Sequence, residues 1–290
     1  MTDQPPEYAE DLPPTVDRLL WLLELERLDR DLFRARSPRH RPNGRLFGGQ
    51  VAAQALRAAT LTVSPSGGEV EHHPHSLHGY FLRPGLPGRP LILSVDRIRD
   101  GRSFTTRNVK AIQDGEAIFS LSASFHQDEP ASEHQLPIAL DVPRPDDADD
   151  EATPFSSDSG SPFELRAVKT SETDEPFAST RRVWVRTNGP LPDERALHAC
   201  VLTYISDMGA VMAARKALRI PWSGGGMAAS LDHAIWFHRP IRPDGWVLFD
   251  LRPLSNASSR GLVLGTMHDE RGVHGASMTQ EALVRERRER

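Results

Sequence analysis

The spacing of apolar residues changes period several times along this chain, and the changes divide it into elements. Leu19, Leu20, Leu22, Leu23 and Leu25 follow Thr15-Val16-Asp17 at helical spacing, which predicts an amphipathic helix carried through Leu32-Phe33. Residues 34–45 are polar loop. The string Leu46-Phe47-Gly48-Gly49-Gln50 then leads into a run of small helix formers from Val51 to Ala59, a second helix able to lie close to a sheet. Beyond Pro65-Ser66-Gly67-Gly68 the pattern becomes that of strands, at 75–82, 91–99, 103–113 and 116–126. Asp100-Gly101 and Asp114-Gly115 join them as hairpin turns, because these dipeptides accept positive φ.

Periodicity fails between 127 and 180. Acidic and serine-rich strings there, such as Asp149-Asp150-Glu151, are too polar to offset their ordering entropy by burial, which predicts a linker. Order returns with a strand at 182–189 and one long helix from Pro192-Asp193-Glu194 through Leu197, Val201, Ile205, Met208 and Met212. Gly224-Gly225-Gly226 breaks the chain before a strand at 229–240, and three more follow at 246–253, 261–268 and 272–284.

Helix followed by meander thus occurs twice. Arg83-Pro84 and Arg239-Pro240 lie 156 positions apart, as do Tyr80 and Trp236, Phe81 and Phe237, and Ser103 and Ser259. The chain reads as one unit written twice: a first repeat at 15–126, the linker at 127–180 and a second repeat at 181–285. The predicted class is α+β, two helix-plus-antiparallel-sheet repeats in one chain.

Composition narrows the partners. A net charge of −5 favours neither nucleic acid nor an anionic membrane. The lone cysteine, Cys200, excludes an intramolecular disulfide and a multi-cysteine metal site, in keeping with a cytoplasmic protein. The acidic, proline-rich first 14 residues lack the features of a secretory signal, and no uncharged apolar run is expected to span a bilayer.

Several ordered strings resemble the acyl-CoA thioesterase II family: Phe47-Gly48-Gly49-Gln50, Tyr80-Phe81-Leu82-Arg83-Pro84-Gly85, Arg99-Asp100-Gly101-Arg102-Ser103-Phe104, Asp232-His233, Trp236-Phe237-His238-Arg239-Pro240 and Ser258-Ser259-Arg260-Gly261. The resemblance runs from about Leu19 to Val284 and implies the double-hotdog fold, hydrolysis of a fatty or related acyl-CoA in lipid metabolism, no metal or redox cofactor, and self-association as a homodimer or higher oligomer. It also implies that Asp207, Ser230 and Gln280 hold the attacking water. Asp207 draws attention by itself, since it interrupts an apolar helical run between Ile205 and Met208 where a carboxylate is costly without a role. Gly48 and Gly49, before a helix, are candidates for binding the oxyanion or substrate through backbone N–H groups. Val51 is the counterpart of Asp207 at the repeat spacing, so one half is expected to be catalytic and the other degenerate.

Other signals carry less. His72, His73, His75 and His78 cluster without a carboxylate spaced to complete a metal site. Asp232 and His233 are strand neighbours and point to opposite faces, which argues against a dyad. Cys200 sits among apolar residues and suits a core position. Arg83, Arg102, Arg107, Arg239 and Arg260 are the candidates for the CoA phosphates. Two other functions fit the same fold: a hydratase or dehydratase of acyl thioesters, which needs a His or Glu beside the β-carbon, and a non-enzymatic acyl-CoA binding protein.

Overall fold

A computed structural model describes residues 11–13, 15–39, 44–63, 71–138, 142–150, 161–168, 181–220 and 226–285. Helix α1 (Val16–Leu23) is shorter than its leucine pattern predicts. Beyond it the chain forms a hairpin of β1 (Glu26–Asp29) and β2 (Leu32–Ala35), in which Phe33 and Ala35 alternate inward while all of β1 stays exposed. Leucines spaced for a helix were here continued by a strand with period two.

The first repeat follows as α2 (Gly48–Thr60), β3 (His73–Phe81), β4 (Leu91–Asp100), β5 (Phe104–Gln113) and β6 (Glu116–His126). Asp114 and Gly115, with φ of 50° and 80°, make the tight β5–β6 turn. The second repeat contains β9 (Arg181–Thr187), α3 (Arg195–Ser206), α4 (Ala210–Ala217), β10 (Met227–Ser230), β11 (Asp232–Phe237), β12 (Val247–Ala257), β13 (Arg260–Asp269) and β14 (His274–Arg285). Two features depart from expectation. The strand at 229–240 is split at Leu231, whose N–H bonds Glu281 and whose carbonyl accepts from Phe81. The single long helix is broken after Ser206, because Gly209 takes a left-handed φ of 99° that starts α4 on a new course.

Part of the predicted linker is ordered. Phe163–Val168 forms β8, antiparallel to β9, with β7 (Asp149–Asp150) beyond it. Its alternation of Phe163 and Leu165 on the face toward the main core, with Val168 packed beside Trp184 on the other face, was hidden between polar flanks. The Ser156-Ser157-Asp158-Ser159-Gly160 run and Gly224-Gly225 lie outside the described residues.

Among the described residues, all fourteen strands belong to one sheet, ordered β1-β2-β4-β5-β6-β3-β11-β14-β13-β12-β9-β8-β7, with β10 beside β14. The halves join where β3 meets β11 antiparallel, with Leu77 opposite Ile235, His78 opposite Ala234 and Gly79 opposite His233. His78 and Ala234 are themselves 156 positions apart, so the repeat seen in the sequence is a local twofold through this pair. Helix α2 covers β3 to β6, α4 covers β12 to β14, and α3 lies against α2 above the seam. The stretch from Arg195 to Ala217 is long and apolar enough for a bilayer by composition, but 83% of its apolar window is buried in the fold, as befits central helices.

Candidate active site

The break between α3 and α4 places Asp207 as the residue closing α3, not inside a continuous helix. Its side chain is turned toward the start of α2 from the other half. Gly49 N–H donates to Asp207 Oδ2 at 2.8 Å, where the helix terminus has unshared donors and a favourable dipole for an anion. Both glycines are required by proximity. A Cβ on Gly48 would lie 2.7 Å from Asp207 Oδ2, and one on Gly49 would lie 2.5 Å from the carbonyl oxygen of Tyr204.

The second carboxylate oxygen, Oδ1, accepts from Ser230 Oγ at 3.2 Å, at the end of β10. Gln280, on the adjacent β14, donates from Nε2 to Ser230 Oγ at 2.8 Å. The three residues named from the sequence therefore converge, although they lie on a helix end and two strands. Asp207 and Gln280 are buried, and Ser230 is half-buried. Burial is the largest influence on the Asp207 carboxyl and raises its pKa above the ordinary carboxylate value; His233 and the hydrogen bonds from Gln280, Gly49 and Ser230 oppose it.

One member of the cluster was missed. His233 is buried, with Nδ1 2.7 Å from Gln280 Oε1 and Nε2 2.7 Å from Ser206 Oγ. Burial lowers its pKa and favours the neutral ring. Its neighbour Asp232 turns the other way, where Oδ1 accepts from Glu281 N–H at 2.7 Å. Opposite faces for this pair follow from strand geometry, but the inward histidine still reaches the site through Gln280. The signal was its alternation with inward Ile235.

The gly-rich turn differs from expectation in one respect. The Gly49 amide is committed to Asp207, so in this arrangement it holds the carboxylate and does not face an oxyanion. Among the arginines, Arg107 is fully buried and bonds Thr62, Arg99, Thr106 and Asp100, which removes it as a phosphate ligand. Arg83, Arg239 and Arg260 pair with Glu116, Glu133 and Glu281. The histidine cluster is engaged locally: His72 contacts Thr105 Oγ1 and His75 contacts Ser124 Oγ. Burial pushes the Cys200 thiol up to about 12, far from a nucleophile's range.

Strand register identifies what occupies the matching positions in the first half. Ser230 corresponds to Pro74, and Val263, opposite Gln280, corresponds to Arg107, opposite Ala123. Asp207 corresponds to Val51 and His233 to Leu77. All four polar positions are thus apolar in the first half. Pro74 and Phe237, the counterparts of Ser230 and Phe81, line a cleft of about 150 Å³ with His73, His198 and Arg239.

Comparison with known proteins agrees with this architecture. The family model for the acyl-CoA thioesterase N-terminal domain matches residues 36–126, and that for the C-terminal domain matches 139–284. The second match takes in most of the span read as linker, in line with the ordered β8. Acyl-coenzyme A thioesterase 8 of Mus musculus is 37% identical over 287 residues, covering 91% of this chain and 88% of that protein. The crystal structure of acyl-CoA thioesterase II TesB2 from Mycobacterium marinum superposes with a TM-score of 0.79 at 36% identity, over 92% of this chain and 97% of that one. A protein of unknown function with a hot dog fold from Alicyclobacillus acidocaldarius shares the fold at a TM-score of 0.71 and 19% identity, covering 92% and 98% of the two chains. With both domain models matched in order and relatives aligned over nearly the whole length, the chain belongs to the acyl-CoA thioesterase II family, acyl-CoA thioester hydrolases built here on two hotdog repeats.

Proposed function

We propose that the chain hydrolyses acyl-CoA to the free acid and CoA with Asp207 as general base, and that the second half alone supplies the base and the side chains that orient the water. The observation that supports it is the convergence of one buried carboxylate, one hydroxyl and one amide, each absent from the matching positions Val51, Pro74 and Ala123. In this reading Asp207 takes a proton as water attacks the thioester carbonyl. Ser230 and Gln280 orient that water, a positioning effect that supplies much of the rate. The tetrahedral oxyanion then collapses, the C–S bond breaks, and the thiolate recovers the proton from Asp207. A thiolate leaves readily, so no covalent nucleophile is needed. With Gly49 N–H held by the carboxylate, the oxyanion role falls to Gly48 N–H, the first of α2.

A hydratase reading gains nothing from His233, because both its ring nitrogens already have partners within the protein. Thiol release from a panel of acyl-CoA chain lengths tests the proposal and sets the preferred substrate. Asp207→Ala is expected to lose at least about a thousandfold in kcat with the fold intact. Undiminished release would remove Asp207 as the base.

We further propose self-association through the outer face of the seam, where Tyr80 is 63% exposed beside His78 and Trp236. Light scattering of the wild type and of Tyr80→Asp tests this, with dissociation expected in the variant. The lone buried thiol and acidic net charge support a cytoplasmic protein acting on acyl-CoA without nucleic acid or membrane partners.

A further inference from the structure

We infer that His233 is a positioning residue of this site, whose Nδ1–H fixes the Gln280 amide so that its NH₂ group faces Ser230. The inference rests on the reading of Asp207, Ser230 and Gln280 given above. It begins from a count of protons along the contacts. Gln280 has one acceptor oxygen and one NH₂ group, and they face different neighbours: Oε1 meets His233 Nδ1 at 2.7 Å, Nε2 meets Ser230 Oγ at 2.8 Å. An amide can turn over, exchanging its two ends. What prevents the exchange is a proton on Nδ1, since an N–H opposite an NH₂ has no acceptor between them.

The consequence passes down the chain. With NH₂ toward Ser230, the serine oxygen accepts from Gln280 and its own proton is directed to Asp207 Oδ1 at 3.2 Å. With the amide reversed, Oε1 would compete for that proton and the carboxylate would lose a donor. Ser206 completes the series from the other side. Its single proton has Thr203 O within reach at 2.8 Å and, with the ring proton on Nδ1, a second acceptor in His233 Nε2 at 2.7 Å. Donation to Nε2 leaves the ring neutral with its proton on Nδ1. The donors then run one way, from Ser206 to His233, Gln280, Ser230 and Asp207, while Gly49 holds the far carboxylate oxygen. In the half that has Val51 in place of Asp207, the matching residue is the buried Leu77. At this position of the repeat, histidine accompanies Gln280 and leucine accompanies Ala123.

The experiment measures kcat and KM for Asp207→Asn, His233→Leu, His233→Asn, Gln280→Leu and the His233→Leu/Gln280→Leu pair. Asp207→Asn is expected to be inactive. His233→Leu is expected to lower kcat about 10- to 100-fold, with KM within about threefold of wild type. His233→Asn, whose amide N–H stands in for Nδ1–H, should recover most of that loss. In the Gln280→Leu background, His233→Leu should cost nothing further, because a residue acting through Gln280 has nothing left to orient. Nitrogen-15 NMR of labelled histidine should show Nδ1 protonated in a signal lost in His233→Asn; this reading of the wild type stands even if the leucine variant fails to fold. Wild-type kcat in His233→Leu, an additive penalty in the double variant, or a proton on Nε2 would overturn the inference. Hydrolysis undiminished in Asp207→Asn would instead remove the reading of the site on which it rests.

Discussion

Gly49 and Asp207 lie 158 positions apart in the chain, and the amide of one donates to the carboxylate of the other at 2.8 Å. The first half therefore contributes to the site although its own matching positions are apolar. Its helix α2 presents an N-terminus to the anion, and its glycines leave room for the carboxylate and for the turn that carries it. This gives a physical reason for retaining a half without its own base. The carboxylate is a residue of the second repeat, and its binding cradle belongs to the first.

The two glycines should fail differently. A Gly48→Ala methyl would press on Asp207 Oδ2 at 2.7 Å and on the Phe81 ring at 2.8 Å, both side chains that can move. We expect a folded protein with kcat reduced about 100-fold, as a displaced base loses alignment. A Gly49→Ala methyl would meet the Tyr204 carbonyl at 2.5 Å, which is backbone. That variant should lose about 1–3 kcal/mol of stability by overpacking. Paired activity and thermal-unfolding measurements distinguish them, and equal Tm values would refute the assignment.

Ionised Asp207 should cost stability. Burial raises its folded pKa above the unfolded value, so its contribution is fully present below the unfolded pKa and is lost as pH rises through the folded one. Once ionised, the carboxylate is a buried charge in the folded protein, and Asp207→Asn removes it. That variant should have Tm raised by roughly 2–6 °C at pH values above the folded pKa, with the gain shrinking as pH falls and the wild-type carboxyl takes up its proton. A variant whose Tm stays below wild type at every pH from 5 to 9 would show that the lost acceptor outweighs the relieved charge.

The family resemblance named Asp207, Ser230 and Gln280, which lie within hydrogen-bond reach of one another, but by residue type only Asp207 was conspicuous. Asp207 stood out as a charge in an apolar run, and the repeat spacing pointed to Val51 as its missing partner. The register at β14 was not legible: Gln280 matches Ala123, 157 positions away, because the two hairpins differ in length. The helix break at Gly209 was hidden too, since apolar spacing continues across it while φ does not. His233 was set aside with Asp232 by an argument correct for the pair. Strand alternation says which of two neighbours faces inward only once the sheet's buried side is known.

The same raised pKa shapes the rate profile. A general base works only when deprotonated, so kcat/KM should fall on the acid side with a midpoint above that of an ordinary carboxylate, near 4. The hydrogen bonds from Gln280, Gly49 and Ser230 favour the charged form and keep the midpoint from rising further. Replacing Ser230 by Ala removes one of these donors and should move the midpoint upward. A midpoint unmoved or lowered in Ser230→Ala, measured with one acyl-CoA across pH 4 to 9, would contradict the hydrogen bond's role.

Acid should weaken the fold through a second group of histidines. His274 stacks on His268 with ring centres 4.6 Å apart and meets His238 at 4.7 Å. Burial and these two rings, with Arg239 adding to them, lower its pKa to about 4, against a hydrogen bond to the Ala276 carbonyl. His238 and His268 are lowered as well, mainly by burial, although Asp250 and Asp269 act in the opposite sense on His268. For a histidine lowered on folding, stability is full above the unfolded pKa of roughly 6.5 and is lost as pH falls toward the folded value. Each such proton contributes at most about 1.4 kcal/mol per pH unit, and solvent access reduces that figure. Urea unfolding between pH 7.5 and 4 should therefore show stability declining across this window. In His274→Gln, which cannot take up the proton, the decline should be shallower. An identical slope in wild type and variant would place the acid sensitivity elsewhere in the protein.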